Sequence, residues 1–344
     1  MQALAIISYI LVAAVVVFLS IKISDYVDLL DKKTKISGAF LGGILLAAVT
    51  SLPELFTSLT STILIHNNQM VIGNILGSDL FDLLLFSIIF LFFFTNMVKS
   101  KVNKSFIISI LICFALYIVT AIAGYIFNRN NLLWGWFNPM SLVIAVIYII
   151  SIIKTPKVED AENKETKSTL TVKQITILFI ICGVLLVGSS IGMTYLVDWL
   201  ISLFGFGSTF AGALFLGLAT SLPELTATIT LSKKKNFNAA YGNIIGSCIF
   251  NFIILTFSDV FSFLVKSKQG QYIGVFFTDQ SFFLLLVTGL ISLTAVLISL
   301  IIKTKSNLKP TIKTRIAFIS ISSVLIASYI AFLVLSQINL NLPF

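Results

Sequence analysis

Charge is what this chain has least of. Only 11% of its 344 residues are charged, against 58% hydrophobic. That excludes a soluble globular protein, in which about a quarter of residues are charged. The mean hydropathy of +1.05 comes from apolar runs along the whole length, so a soluble protein with one anchor is excluded too. The short alternating segments of a transmembrane β-barrel are missing. Cysteine is sparse, and Cys113, Cys182 and Cys248 all lie in apolar runs. An odd number of such thiols argues against a disulfide framework. The one histidine, His66, falls in the polar stretch His66-Asn67-Asn68-Gln69 and reads as a solvated loop residue. Residues 1–22 have neither a basic leading region nor a small-residue cleavage pattern, so they read as a membrane helix rather than a secretion signal. No low-complexity tail and no extramembrane domain is expected.

What remains is a polytopic helical membrane protein. Apolar runs long enough to cross about 30 Å of hydrocarbon fall at 3–22, 36–64, 69–98, 105–127, 138–153, 174–199, 208–232, 238–265, 281–302 and 315–336. The fifth is short, and Trp134 and Trp136 before it suit an interface. With the N-terminus outside, twenty of the 23 basic residues fall on the inner side, from Lys22, Lys32 and Lys33 through Lys233, Lys234 and Lys235 to Arg315. Arg129, Lys266 and Lys268 are left outside. This bias places both termini outside. It also accounts for the net charge of +9 without a nucleic-acid partner. The polar stretch 154–173 then links two five-helix units, 1–153 and 174–344. Because five is odd, the second unit enters the membrane from the opposite side. The expected fold is all-α, with ten transmembrane helices in two inverted five-helix repeats and Pro-broken core helices.

Two motifs occur once in each unit. Thr50-Ser51-Leu52-Pro53-Glu54-Leu55 returns as Thr220-Ser221-Leu222-Pro223-Glu224-Leu225. Proline lacks an N–H and clashes with the carbonyl four residues back, so Pro53 frees that of Val49 and Pro223 that of Ala219. The break is expected to expose carbonyls from Ala47 to Thr50 and from Gly217 to Thr220. Non-helical backbone at membrane depth is tolerated where it lines a cavity or is buried in protein. Carbonyl, hydroxyl and carboxylate oxygens together suit hard cations such as Ca²⁺ and Na⁺. Ser51-x-x-Glu54 and Ser221-x-x-Glu224 also read as capping boxes that restart the helix. Capping does not require the charge, which costs about 2.5–3.5 kcal/mol near mid-bilayer.

The second motif is Gly73-Asn74-Ile75-Leu76-Gly77-Ser78-Asp79-Leu80-Phe81-Asp82, returning as Gly242-Asn243-Ile244-Ile245-Gly246-Ser247-Cys248-Ile249-Phe250-Asn251. The glycines suit close helix packing. Ser78 and Asp82 share one helical face, as do Ser247 and Asn251. If the glycine ridge meets the Pro-broken helix, Glu54, Glu224, Asp82 and Asn251 gather, with Ser51, Ser221, Ser78 and Ser247 around them. Two glutamates match the charge of one Ca²⁺, and Asp82 adds a third charge that matches three monovalent ions.

These paired motifs resemble the alpha-repeats of the calcium/cation antiporter superfamily, in its prokaryotic sodium/calcium exchanger branch. The motif regions are 38–95 and 208–264. The resemblance implies a secondary antiporter in a prokaryotic plasma (inner) membrane, exchanging Ca²⁺ for Na⁺ by alternating access, with the first and sixth helices sliding past a fixed core. It implies Glu54 and Glu224 as central calcium ligands and carbonyls from Thr50 and Thr220. Ser51, Ser221, Ser78, Ser247 and the carbonyls of Ala47 and Gly217 would form flanking sodium sites. The proton-coupled branch usually carries Gly-Asn-Ala-x-Glu instead of Thr-Ser-Leu-Pro-Glu. Val49 and Ala219 stand where the family usually has glycine, and Asp79 and Cys248 where it usually has asparagine. The acidic member of the Asp82/Asn251 pair sits in the first repeat, whereas some relatives carry it in the second. Asp79 is thus an additional carboxylate that could pair with a polar neighbour or bind a proton or K⁺.

Coupling to H⁺ or K⁺ is the alternative reading. A cation channel fits inverted broken helices less well, and an intramembrane di-aspartyl protease would leave the duplicated glutamates unexplained. No enzyme activity, cofactor or obligate protein partner is expected; the partners are small cations and the lipid bilayer. Asp198, Asp259 and Asp279 read as solvated carboxylates near outer helix ends, and Tyr195 and Trp199 as interfacial anchors. The charge bias generates a direct test. Single cysteines replacing Lys33 or Lys234 should react with impermeant thiol reagents only from the cytoplasmic side, and one replacing Asn67 only from outside. Labelling of the two lysine positions from opposite sides would contradict the inverted layout.

Overall fold

The computed structural model describes residues 1–34, 50–128, 138–154, 169–266, 274–276, 279–305 and 310–338. Ala47, Trp134, Trp136 and most of the 154–173 linker, for which roles were expected, lie outside the described residues. Among those described there is helix and no strand. In chain order the helices are α1 (Gln2–Thr34), α2 (Leu52–Thr60), α3 (Asn68–Phe92), α4 (Phe94–Lys99), α5 (Ser105–Ile122), α6 (Pro139–Lys154) and α7 (Val172–Phe204). They continue with α8 (Ser208–Ala211), α9 (Leu218–Thr220), α10 (Leu222–Lys233), α11 (Phe237–Lys266), α12 (Gln280–Lys305) and α13 (Ile312–Leu335). Wide π-turns extend α2 over Ser61–Ile65 and α5 over Ala123–Asn128, and a third joins α8 to α9 over Gly212–Gly217.

Among the described residues, seven helices are long and apolar enough to cross a membrane: α1, α3, α5, α7, α11, α12 and α13. An eighth span is the pair Ser208–Thr220 and Leu222–Lys233, bent by 41°. The other two expected spans are represented by the shorter apolar helices Leu52–Ile65 and Pro139–Ile152. Several boundaries differ from expectation. Helix α1 continues to Thr34, so Lys22, Lys32 and Lys33 ride on helix rather than in a loop. The expected helix 69–98 is interrupted at Phe93 (φ −111°, ψ 13°). The following turn, α4, is closed by Lys303, whose ammonium donates to the carbonyls of Val98 (2.5 Å) and Ser100 (2.6 Å).

Burial divides the helices into two groups. The central ones are α3 and α11, with 72% and 61% of their apolar windows buried, whereas α7 has 17% and α1 28%. Helices α3, α5, α6, α11, α12 and α13 share one apolar core. Phe86 packs against Tyr241 with ring centroids 5.1 Å apart, and Phe90 against Phe318 at 5.0 Å. Helices α1 and α7 lie alongside each other and form a second, smaller core from Val16, Leu19, Ile23, Leu186, Met193 and Val197. This pair seats on Met70, Ala211, Leu216 and Ala219.

The glycine ridge of α3 packs against a broken helix, but that of the other half. A Cβ on Gly73 would run into the Thr209 carbonyl, and one on Gly77 into the backbone of Ala213. Bare backbones therefore meet between α3 and the 208–217 segment, a close approach open only to glycine. Gly188 on α7 has nothing within 4 Å of its Cβ position. Gly77→Leu should therefore lower the thermal unfolding midpoint in detergent, since overpacking costs about 1–3 kcal/mol. Gly188→Leu should leave the midpoint unchanged. Equal midpoints for both variants would show that the α3 contact is not close-packed.

Candidate functional site

In the second motif the helix breaks at Ser221, between α9 and α10, and in the first α2 likewise begins directly after Ser51. Ser51 (φ −89°, ψ 14°) and Ser221 (φ −87°, ψ 3°) adopt the same non-helical conformation, and α2 and α10 restart directly after them. Leu55 N–H then returns to the Ser51 carbonyl at 3.1 Å, and Leu225 N–H to Ser221 at 3.2 Å. Both serines occupy the N-cap position, yet neither side chain makes a capping hydrogen bond. The expected capping boxes are absent because both hydroxyls are used elsewhere.

They cross to the opposite half. Ser51 Oγ donates to Glu224 Oε1 (3.4 Å), and Ser221 Oγ donates to Glu54 Oε1 (3.5 Å). Ser247 Oγ reaches the same Glu224 oxygen at 3.4 Å and lies 3.0 Å from Ser51 Oγ. The threonines repeat the exchange: Thr50 lies beside Glu224 and Thr220 beside Glu54. Each glutamate is thus enclosed by the Thr-Ser pair of the other half. Both are fully buried, and their second oxygens, Oε2, have no hydrogen-bond partner.

Asp82 joins this group. It lies within electrostatic reach of Glu54, Glu224 and Asp79 and faces the hydroxyls of Ser247 and Ser221. Both its oxygens are buried without a hydrogen bond. Asn251 turns to Asp79 instead, with Nδ2 donating to Oδ1 at 2.8 Å. Glu54, Glu224 and Asp82 lie within electrostatic reach of one another, and Asn251 sits one step away through Asp79. Among the described residues no three Asp, Glu, His or Cys side chains converge as a ready-made metal cage. Any cation held here would need hydroxyl or main-chain oxygens beside the carboxylates.

A second oxygen group flanks the first. Ser78 Oγ lies 3.2 Å from the Gly217 carbonyl and 3.4 Å from Thr220 Oγ1. That carbonyl was expected to be bare. It accepts from Ser78 and from the Ser221 N–H at 3.2 Å, because the helix stays wound until Thr220 and breaks one residue later than the freed-carbonyl pattern implies. The counterpart at Ala47 lies outside the described residues.

Asn74 and Asn243 were passed over as parts of a packing motif. Asn74 Nδ2 donates to Thr57 Oγ1 and Ser58 Oγ, both at 2.9 Å, and to the Glu54 carbonyl at 3.3 Å. Its Oδ1 accepts from Thr220 Oγ1 at 3.5 Å, so Asn74 ties α3 to both broken helices. Asn243 donates to the Glu224 carbonyl at 3.5 Å, and its Oδ1 is buried without a partner, as is Thr228 Oγ1 on α10. The signal was available in the repeated Gly-Asn pair, since an amide buried in an apolar helix demands partners.

Two carboxylates outside the site are structural. Asp259 is fully buried, not solvated: its Oδ2 accepts from the Asn138 N–H (2.9 Å) and Ser141 Oγ (2.7 Å) at the start of α6. Asp279 caps α12 through the Phe282 N–H (2.7 Å) and accepts from Thr209 Oγ1 (2.7 Å). His66 is exposed, in the left-handed conformation (φ 60°) that closes α2.

Asn74→Ala should destabilise the protein by about 1–3 kcal/mol, because it orphans buried hydroxyls. Asn243→Ala, which removes one long hydrogen bond, should cost less. Detergent unfolding midpoints compare the two, and the reverse order would contradict the tie assigned to Asn74.

None of the curated proteins compared matches the chain. Solved structures do. The "H+/Ca2+ Exchanger CAX" superposes with a TM-score of 0.66 at 15% identity, covering 97% of this chain and 90% of that one. Native YfkE gives 0.63 at 14% identity, covering 97% of each. The sodium-calcium exchanger NCX_Mj, soaked with Na⁺ and Sr²⁺, gives 0.56 at 21% identity, covering 95% of this chain and 99% of that one. At such identities the likeness establishes a shared fold. The sodium/calcium exchanger protein family matches residues 4–154 and 174–337. With nearly the whole chain matched, this protein belongs to the sodium/calcium exchanger protein family of membrane antiporters.

Proposed function

We propose that the protein is a secondary active antiporter that exchanges Ca²⁺ for Na⁺ at the Glu54/Glu224 site by alternating access. The observation that carries this reading is the reciprocal exchange of hydroxyls between the two halves. It leaves Glu54 Oε2, Glu224 Oε2 and both Asp82 oxygens buried and unpaired. Buried carboxylates are normally paired or coordinate metals. Here hydrogen bonds satisfy only part of the group, and a cation supplies the rest.

In this reading Glu54 and Glu224 face Ca²⁺, with the main-chain carbonyls of Thr50 and Thr220 as further ligands. Na⁺ occupies flanking positions, one near Ser78, Thr220 and the Gly217 carbonyl, the other near Ser51 and Ser247. Asp82 supplies the third charge of the sodium-loaded state, and Asn251 lines the same pocket. The chain crosses the membrane ten times as two inverted repeats, with both termini outside. Helices α1 and α7 move as a pair, because their own small core separates them from the main one.

Coupling to H⁺ is a second reading, favoured by the higher TM-score with CAX, 0.66 against 0.56 for NCX_Mj. The hydroxyls beside each glutamate favour Na⁺, which uses neutral oxygen ligands. Uptake of ⁴⁵Ca²⁺ into proteoliposomes under Na⁺, H⁺ or K⁺ gradients imposed singly separates these readings, and an outward Na⁺ gradient should drive uptake. Glu54→Gln and Glu224→Gln should each reduce uptake to background while the protein stays folded. Each substitution removes half of the charge that faces the divalent ion. Undiminished flux in either variant would remove the central claim.

A further inference from the structure

One end of the helix bundle gathers positive charge with no acid beside it. Lys99 ends α4, Lys101 and Lys104 follow in the turn before α5, and Lys233, Lys234 and Lys235 close α10; all six are exposed. The two groups come from opposite halves and are joined by contact. The Asn103 N–H donates to Asn238 Oδ1 at 3.1 Å, and Phe106 meets Tyr241 edge to face with ring centroids 6.1 Å apart. Phe94 and Phe318, 6.0 Å apart, bring in the start of α13, where Lys313 and Arg315 are exposed. Lys303 fixes the 98–100 turn through the Val98 and Ser100 carbonyls. The sequence has no Asp or Glu at 83–158, 225–258 or 280–344, so none of these segments carries its own counter-charge.

Helix polarity adds to the imbalance. Helices α5, α11 and α13 all begin at this end, and none has an acidic residue in its first turn. Lys104 stands at the N-cap of α5, three lysines precede α11, and Lys313 and Arg315 lie in the first residues of α13. A helix start favours negative charge, so these side chains oppose the dipole instead of offsetting it. Membrane topology needs only a number of basic residues in the loops of one side. It does not need the lysines of both halves gathered around three helix starts. Apolar side chains border the patch: Phe92 is 78% exposed and Ile312 80%. On a membrane protein such side chains face lipid, so the lysines beside them stand at headgroup height, their stems along the apolar surface and their ammonium groups beyond it.

From this geometry we infer an interaction surface for anionic phospholipid headgroups, formed by the 99–104 turn, the end of α10 and the start of α13, at which lipid phosphate bridges the two halves of the protein. Clusters of about four to eight basic residues next to a membrane helix attract anionic lipid. Ammonium groups bind phosphate through charge-assisted hydrogen bonds, and a bound headgroup supplies the negative charge that the three helix starts lack. Lys233 lies nine residues beyond Glu224 on α10, roughly 14 Å along the helix axis. The surface is therefore separate from the carboxylate site, and the inference does not depend on which ion is exchanged for Ca²⁺.

The test is thermal unfolding of the purified, delipidated full-length protein in an uncharged detergent at low ionic strength. Phosphatidylglycerol or phosphatidylcholine is added at equal mole fraction, with inorganic phosphate as a third arm. A ligand that binds only the folded state raises the midpoint with its concentration. Phosphatidylglycerol should raise the wild-type midpoint saturably above that with phosphatidylcholine, and added choline chloride should shrink the gain by screening. Lys101→Gln/Lys234→Gln, which takes one exposed lysine from each half, should need severalfold more phosphatidylglycerol for the same gain. Lys22→Gln/Lys173→Gln removes equal charge from α1 and α7 and should respond as wild type, as should Lys101→Arg/Lys234→Arg. Equal midpoints with the two lipids, or equal weakening in both glutamine pairs, overturns the inference, since the second result reduces the patch to overall charge. A gain with inorganic phosphate equal to that with phosphatidylglycerol overturns the lipid assignment. Native mass spectrometry provides a second readout that does not depend on unfolding. Wild type should retain phosphatidylglycerol severalfold over phosphatidylcholine, and Lys101→Gln/Lys234→Gln should lose that preference while Lys22→Gln/Lys173→Gln keeps it.

Discussion

The structure turns on an exchange of hydroxyls between its two halves. Ser51 and Thr50 serve Glu224, while Ser221 and Thr220 serve Glu54. A continuous helix would keep these side chains on the surface of their own segment. The break at each serine lets the Thr-Ser pair reach across, and the following proline prevents the helix from closing over the break. Since each half completes the other's glutamate, neither half forms the site alone.

Close packing keeps the exchange in register. Gly73 and Gly77 bring α3 into backbone contact with the 208–217 segment, and Asn74 reaches from the same face to Thr57, Ser58 and Thr220. One helix of the first half therefore positions the broken helices of both. The lesser core of α1 and α7 rests on this arrangement through Ala211, Leu216 and Ala219, and Tyr9 Oη donates to the Phe215 carbonyl at 2.7 Å. Movement of that pair would bear directly on the backbone leading to Thr220 and Ser221.

The halves are not equivalent in charge. Asp79 and Asp82 lie on α3, where α11 carries Cys248 and Asn251. The second half answers with neutral groups: Asn251 donates to the Asp79 carboxylate, and Cys248 Sγ lies 4.0 Å from the Asp79 carbonyl. Gathering the extra acids on one helix concentrates buried carboxylate on the α3 side of the α3–α11 contact, which two identical halves would not do. Removing a buried carboxylate from water is costly without an opposite charge.

Composition alone determined the membrane class and most of the approximate spans, and repetition singled out Glu54 and Glu224, because apolar length and intramembrane charge are properties of a linear segment. The repeated Thr-Ser-Leu-Pro-Glu marked where the helices break, since the missing proline N–H is a local fact. Partner choice was not legible. That Ser51 passes over its own Glu54 for Glu224, that Asn251 turns to Asp79, and that Asp259 is buried against the start of α6 all depend on which helices lie side by side. Helix periodicity tells which residues share a face but not what that face meets. Only the packing of α3 between the two broken helices decided which of the many hydroxyls face the carboxylates.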